Sequence, residues 1–268
     1  MWALDPPCAR PTERLGADTP LALLAVLALG TAATWALVEH GTLPSRAMQV
    51  AGVTAGHGAL LATALAWARV RAASGVVAIA LLALAASAAA RGGFGALAYL
   101  GPPLWVVWLA RRGGLASLGL GAPVPLRGVI AGVAAGVLVS SHLLVSASRT
   151  LGVHVRLDDV PEVLTAVGYD IGANVLAAEC VFRGALFNRA QRRWPVAFAA
   201  TLATTGYVVR YLVDPLLPKS IELVVGAVFY LALLGAINCW LLWWSESLVP
   251  GLLSALVFFA AYRTLGSG

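Results

Sequence analysis

An acid and a base lie one helical turn apart in a stretch of the chain that is otherwise apolar. Residues 177–193 read AAECVFRGALFNRAQRR, so Glu179 and Arg183 stand at positions i and i+4. On a helix this spacing allows an acid to pair with a base that follows it. Ionisable side chains inside a bilayer are costly unless they are paired, so each one is a functional candidate. Glu179 is therefore either a reactive acid or half of a structural ion pair, and composition alone favours the ion pair.

Four further polar side chains fall inside apolar segments. Asp170 and Asn174 share another stripe of the same predicted helix, and Ala178 follows where a third polar group would continue that stripe. His142 and Asn238 lie within other apolar segments. A lone histidine or amide in a helix bundle usually hydrogen-bonds a neighbouring helix. We take His142, Asn174 and Asn238 as alternative polar groups for a site, each with this structural explanation beside it.

The remaining polar residues give weaker signals. His57 lies within an apolar segment like His142, and Arg210 is expected to reach the membrane interface or to pair with Asp214. The three cysteines, Cys8, Cys180 and Cys239, are scattered and form no zinc or disulfide pattern. The sequence therefore predicts no metal site and no cofactor.

Composition predicts that long helices position these residues. Of the 268 residues, 60% are hydrophobic and 11% are charged, and the mean hydropathy is +0.86, outside the range of soluble domains. Apolar runs of about 20 residues match the roughly 30 Å of a bilayer core. We predict an all-α, polytopic transmembrane bundle of eight or nine spans. The spans are placed at 20–38, 49–68, 74–90, 94–110, 128–148, 164–188, 196–213, 220–244 and 249–265. The segment 94–110 is the weakest of these, because GPP at 101–103 interrupts it. As an alternative to crossing the membrane, it would enter and leave on the same side.

Basic flanks predict the orientation. With nine crossings, one set of flanks carries most of the arginines, including Arg69, Arg71, Arg111, Arg112 and Arg193, and the positive-inside bias makes this set cytoplasmic. Several tryptophans fall at the same ends. The N-terminus is then cytoplasmic and the C-terminus external. The formal net charge of +6 indicates anionic lipid headgroups as neighbours and gives no reason to expect nucleic acid.

No hydrophilic linker separates soluble domains, so the chain is expected to form one continuous membrane domain. Residues 1–114 hold the N-terminal transmembrane helices, and residues 115–268 hold the membrane core with most of the intramembrane polar groups. The glycines of GVIAGVAAG, at 128–136, predict a close helix contact.

The stretch AECVFRGALFN resembles the first signature of the CPBP (CAAX protease or Abi) intramembrane glutamic proteases. That signature is a Glu-Glu pair, three residues, Arg and usually Gly. Here Glu179, Arg183 and Gly184 match, whereas Ala178 stands at the position of the Glu that activates water in family members. The resemblance extends loosely over residues 115–265 and implies a CAAX-protease-like core.

The family's other two motifs resemble segments of this chain in framework but not in chemistry. An aromatic residue, three others and a catalytic His correspond to Tyr207 and Tyr211, so a tyrosine replaces the His. A His, three residues and Asn or Asp correspond to Ala255 and Phe259. A positioned general base contributes about 10²–10⁴-fold to a rate, and Ala178 cannot supply one. Neither Ala255 nor Phe259 can donate a hydrogen bond to an oxyanion through its side chain.

The resemblance thus favours a chain without proteolytic activity, a multi-pass protein of the bacterial plasma (inner) membrane. Such a protein would bind a peptide or a partner membrane protein in a protease-like cavity. It would have membrane lipid and another membrane protein, such as an active paralogous protease, as neighbours, and it resembles the non-catalytic accessories of myxosortase-type sorting systems. Two alternatives stay open. One is an active endopeptidase that uses Glu179 with His142 and Asn238, and the other is a small-solute transporter.

Overall fold

A computed structural model describes residues 15–151, 154–155, 160–212 and 221–266. Helices account for nearly all of the structure in these ranges. They are α1 (Leu21–Glu39), α2 (Arg46–Trp67), α3 (Ala72–Ala89), α4 (Gly101–Arg111), α5 (Leu126–Leu151), α6 (160–190), α7 (Val196–Leu212), α8 (Ile221–Ser245) and α9 (Val249–Arg263). A two-residue antiparallel pairing of β1 (His154–Val155) with β2 (Leu265–Gly266) joins the end of α5 to the end of α9.

Five helices, α1, α2, α3, α5 and α8, are long enough and apolar enough to cross a membrane. Helices α7 and α9 are apolar but shorter. Together with the composition of the chain, these five helices make the protein a helical membrane protein.

The weakest predicted span becomes two helical pieces. A 3₁₀ helix, Gly93–Leu100, packs back against α3 and leads directly into α4. Pro102 and Pro103 fall in the first turn of α4, where the missing backbone N–H has no intrahelical partner to lose. The GPP sequence therefore starts a helix instead of kinking one.

Helix α6 carries the polar motif and is irregular. It runs through Val160–Tyr169, a π-helical turn Asp170–Asn174, Val175–Ala178, a π-helical stretch Glu179–Phe187, and Asn188–Ala190. π-Helical turns are rare and occur frequently at functional sites. Both π segments begin at an acidic residue, so the irregular backbone coincides with the polar side chains that the sequence singles out.

Glycines let α5 and α9 approach each other closely, as GVIAGVAAG predicts. A Cβ at Gly132 would overlap the carbonyl oxygen of Pro250, and one at Gly136 would lie 2.8 Å from the carbonyl oxygen of Ser254. Because α9 also packs on α8 and α6, this contact fixes the side of the bundle that holds the motif residues.

Candidate functional site

Glu179 and Arg183 lie at the centre of the bundle and are fully buried. Arg183 Nη1 is 3.4 Å from Glu179 Oε1, an ion-pair distance without hydrogen-bond geometry. Asn238 on α8 donates through Nδ2 to Glu179 Oε1 at 3.0 Å and to the carbonyl oxygen of Gly251 on α9 at 3.1 Å. Glu179 is therefore connected through one amide group to both α8 and α9.

The Arg183 guanidinium occupies space that neighbouring helices leave for it. Its central carbon lies 4.0 Å from the ring centroid of Tyr207 on α7, a cation–π geometry. A Cβ at Gly235 on α8 would lie 2.9 Å from Arg183 Nη2 and 3.0 Å from Thr204 Oγ1. Only glycine at this position leaves room for the guanidinium, so the charged pair contacts all of α7, α8 and α9.

Several polar atoms around the pair lack hydrogen bonds within the described ranges. They are Glu179 Oε2, Asn238 Oδ1, Thr204 Oγ1 and all three side-chain nitrogens of Arg183. An unmet buried polar group costs roughly 1–3 kcal/mol. The pair is electrically neutral as a unit, and the packing of the four helices must offset its incomplete hydrogen bonding.

The positions that match the protease motifs gather in one place. Ala178, Tyr207, Tyr211, Ala255 and Phe259 belong to a single buried cluster next to the ion pair. The rings of Tyr211 and Phe259 stack with centroids 5.6 Å apart, and Tyr207 meets Tyr211 edge-on at 5.1 Å. Methyl groups and aromatic rings thus line the surroundings of Glu179.

A second polar network joins α6, α7 and α9. Arg263 donates to Asp170 through Nε at 2.8 Å and Nη2 at 3.0 Å, and Asn174 Nδ2 donates to Asp170 Oδ1 at 2.9 Å. Asn174 Oδ1 accepts from Arg210 Nη1 at 2.9 Å and from the Tyr211 hydroxyl at 2.8 Å. Tyr211, at the position of the motif's His, therefore hydrogen-bonds to this second network and not to the Glu179–Arg183 pair.

His57 extends this network to α2. Its Nδ1 lies 3.1 Å from the carbonyl oxygen of Val53, which can only accept, so Nδ1 carries the proton. Nε2 then accepts from Arg210 Nη2 at 2.7 Å, and the Tyr169 hydroxyl approaches it at 3.0 Å. The imidazole acts here as a hydrogen-bond acceptor that joins α2, α6 and α7.

Sequence reasoning did not find this network. It directed Arg210 to the interface or to Asp214, and Asp214 lies outside the described residues. The i and i+4 spacing of Asp170 and Asn174 was the available signal, but partners on other helices cannot be read from one helix.

His142 lies away from the ion pair. Its Nδ1 is 2.8 Å from the Tyr230 hydroxyl on α8. Tyr230 and Asn238 are eight residues apart on that helix, about 12 Å along its axis at 1.5 Å per residue. Of the alternative polar groups, Asn238 joins Glu179, whereas Asn174 and His142 belong to other contacts.

The described residues contain no group of three His, Cys, Asp or Glu side chains placed to hold a metal ion. Cys180 and Cys239 are buried free thiols. No protein-family model, curated protein or solved structure matches the chain.

Proposed function

We propose that the protein is a proteolytically inactive relative of the CPBP intramembrane proteases, with nine membrane crossings in a bacterial plasma membrane. In this proposal it binds a peptide or a partner membrane protein without cutting it. The observation that carries the proposal is the single cluster of Ala178, Tyr207, Tyr211, Ala255 and Phe259 beside Glu179. A scattered set of positions would have left the motif resemblance without a spatial counterpart.

The chemistry of the cluster supports inactivity. Hydrolysis of a peptide bond at neutral pH requires a base for the attacking water and donors for the oxyanion. Glu179 is the nearest carboxylate, but its Oε1 faces Arg183 and accepts the Asn238 amide. These contacts engage this oxygen with a cation and an amide instead of with an attacking water.

The alternative of an active endopeptidase lacks a partner for Glu179. His142 would have to cooperate directly or through one water, within a hydrogen-bond reach of about 3 Å. His142 contacts Tyr230, which lies about 12 Å along the axis of α8 from Asn238, the residue that contacts Glu179. Glu179 and Arg183 are better explained as a brace between α6 and its neighbours.

The test is a cleavage assay on the purified full chain in lipid nanodiscs, with a library of soluble and transmembrane peptides. We expect no cleavage by the wild type, and the same result for Glu179→Gln. Cleavage by the wild type that Glu179→Gln abolishes, with the variant still folded at the assay temperature, would overturn the proposal.

A binding measurement tests the second half of the proposal. Partner proteins cross-linked in native membranes should be lost in Tyr211→Ala, which removes a ring of the motif cluster and its hydrogen bond to Asn174, but retained in Leu138→Ala, whose side chain is 70% exposed on α5. Equal recovery with both variants would contradict binding at the motif cluster.

A further inference from the structure

A cleft of about 650 Å³ opens between α1, α2 and α3, and none of the motif-cluster residues lines it. Its walls are mostly apolar and include Leu21, Val26, Ala62, Ala66 and Val76. Three charged residues, Asp18, Arg69 and Arg71, line it as well. The volume lies within the range of small-molecule and cofactor sites, about 300–1,000 Å³.

Small side chains create the depth of the cleft. A Cβ at Gly75 on α3 would lie 3.4 Å from Ala62 Cβ on α2 and 3.5 Å from Leu23 Cδ2 on α1. None of the residues of α1 is buried; this helix packs along α2, and the space between its first turns and α3 stays open.

The charged residues belong to the tight turn between α2 and α3 and to the segment that crosses it. Arg69 has φ 57°, a left-handed conformation that a non-glycine residue rarely adopts, and Arg71 directly precedes α3. The first turn of α3 has no side-chain cap, and its helix dipole favours an anion. Of its N–H groups, that of Ser74 already donates to the carbonyl oxygen of Arg71 at 2.8 Å. A backbone hydrogen bond of 2.8 Å from Gly16 to the carbonyl oxygen of Trp67 places the Asp18 segment over the same turn.

We propose that this cleft binds one membrane phospholipid, with its phosphodiester at Arg69, Arg71 and the first turn of α3 and an acyl chain along the apolar wall. Arginine suits a phosphate because its planar fork can donate two parallel hydrogen bonds. Basic pockets between transmembrane helices are known headgroup sites. The two arginines and Asp18 carry a net charge of +1, which complements the single negative charge of a phosphodiester.

Asp18 distinguishes between the two headgroup classes that share this phosphodiester. Its carboxylate can accept a hydrogen bond from the ammonium group of an ethanolamine headgroup. A glycerol headgroup has no such cation, so there the carboxylate only repels the phosphodiester. An Asp18→Asn variant that loses affinity only for phosphatidylethanolamine assigns the ammonium to Asp18. If Asp18→Asn instead gains affinity for phosphatidylglycerol, the site holds the uncharged glycerol headgroup. Unchanged affinity for both lipids contradicts a role of Asp18 in the site.

Native mass spectrometry of the full chain, titrated with defined phosphatidylethanolamine or phosphatidylglycerol, tests the site. We expect the double variant Arg69→Gln/Arg71→Gln to weaken binding by at least about tenfold. The matched control is Arg111→Gln/Arg112→Gln, which removes two arginines at another helix end that does not line the cleft, and it should bind as the wild type does.

A second variant tests the acyl chain independently. Ala66→Phe places a ring in the cleft, leaves the arginines unchanged and should also reduce binding, whereas inorganic phosphate should not compete with the lipid. Equal affinity of the two double arginine variants, or full competition by inorganic phosphate, would overturn the proposal. Thermal unfolding of each variant confirms that it is folded before affinities are compared.

Discussion

At the scale of single residues, the buried Glu179–Arg183 pair is a point at which four helices, α6 to α9, meet. Each partner alone would be a buried charge without compensation, because the nearest other polar groups are amides and hydroxyls. Breaking a buried pair by removing one partner is strongly destabilising, whereas replacing both partners is far less so. The two side chains are therefore expected to behave energetically as one unit.

A double-mutant cycle measures this coupling. Glu179→Gln and Arg183→Gln should each lower the free energy of unfolding by about 3–5 kcal/mol, because each leaves its partner charged and buried. The double variant should lose clearly less than the sum of the two. Denaturant titration in mixed micelles gives the values, with Arg193→Gln, at an exposed position, as the control that changes little. Strictly additive losses would contradict the assignment as an ion pair.

The sequence could predict the contents of this site better than its connections. The spacing of Glu179 and Arg183 was visible because both lie on one helix. The contacts of Arg183 with Tyr207, and of Arg210 with His57, join residues that are distant in the sequence. Such contacts depend on how helices pack, and a single sequence with its hydropathy pattern does not specify that packing.

At the scale of helices, the α5–α9 contact has little tolerance for added volume. Gly128, Gly132 and Gly136 recur every four residues along one face of α5, and each faces α9 or the residues just before it. Membrane helices associate by close packing and not by a hydrophobic drive, so small residues at such a contact carry its stability. Helix α9 in turn supplies Gly251, Ala255 and Phe259 to the site.

Gly132→Ala should therefore destabilise the protein although alanine favours helix. The new methyl group would overlap the Pro250 carbonyl oxygen, which belongs to the backbone and cannot rotate away. We expect a loss of about 1–3 kcal/mol in the free energy of unfolding, as for overpacking elsewhere. Gly52→Ala on α2 is the matched control, because nothing lies within 4 Å of its added Cβ. That variant should be neutral or slightly stabilised, and an equal loss in both would exclude the packing explanation.

Helix positions were largely predictable, and helix irregularities were not. The predicted segments 20–38, 196–213 and 249–265 differ by at most two residues at any end from Leu21–Glu39, Val196–Leu212 and Val249–Arg263. Hydropathy places these ends because apolar runs stop at polar or turn residues. The π-helical turns at Asp170–Asn174 and Glu179–Phe187 leave no comparable signature, since they depend on the partners around α6.

At the scale of the whole molecule, the polar groups form two levels along α6. Asp170 and Glu179 are nine residues apart, about 13 Å along the helix at 1.5 Å per residue. One level joins α6 to α2, α7 and α9, and the other joins it to α7, α8 and α9. Helix α6 thus lies at the centre of the bundle and makes polar contacts with its neighbours at both levels.

Whether the chain crosses the membrane nine times can be decided by one labelling experiment. Single cysteines at Thr42, Ala73, Arg91, Arg112 and Arg193, in a background with Cys8, Cys180 and Cys239 replaced by alanine, sample successive helix ends. With nine crossings, a membrane-impermeant maleimide added to intact cells should label positions 42 and 91 and leave positions 73, 112 and 193 unlabelled until the membrane is opened. This pattern follows because each spanning helix moves the chain to the other side and because the arginine-rich ends stay cytoplasmic. If 93–111 enters and leaves on one side, positions 91 and 112 will react together, and the nine-crossing arrangement is excluded.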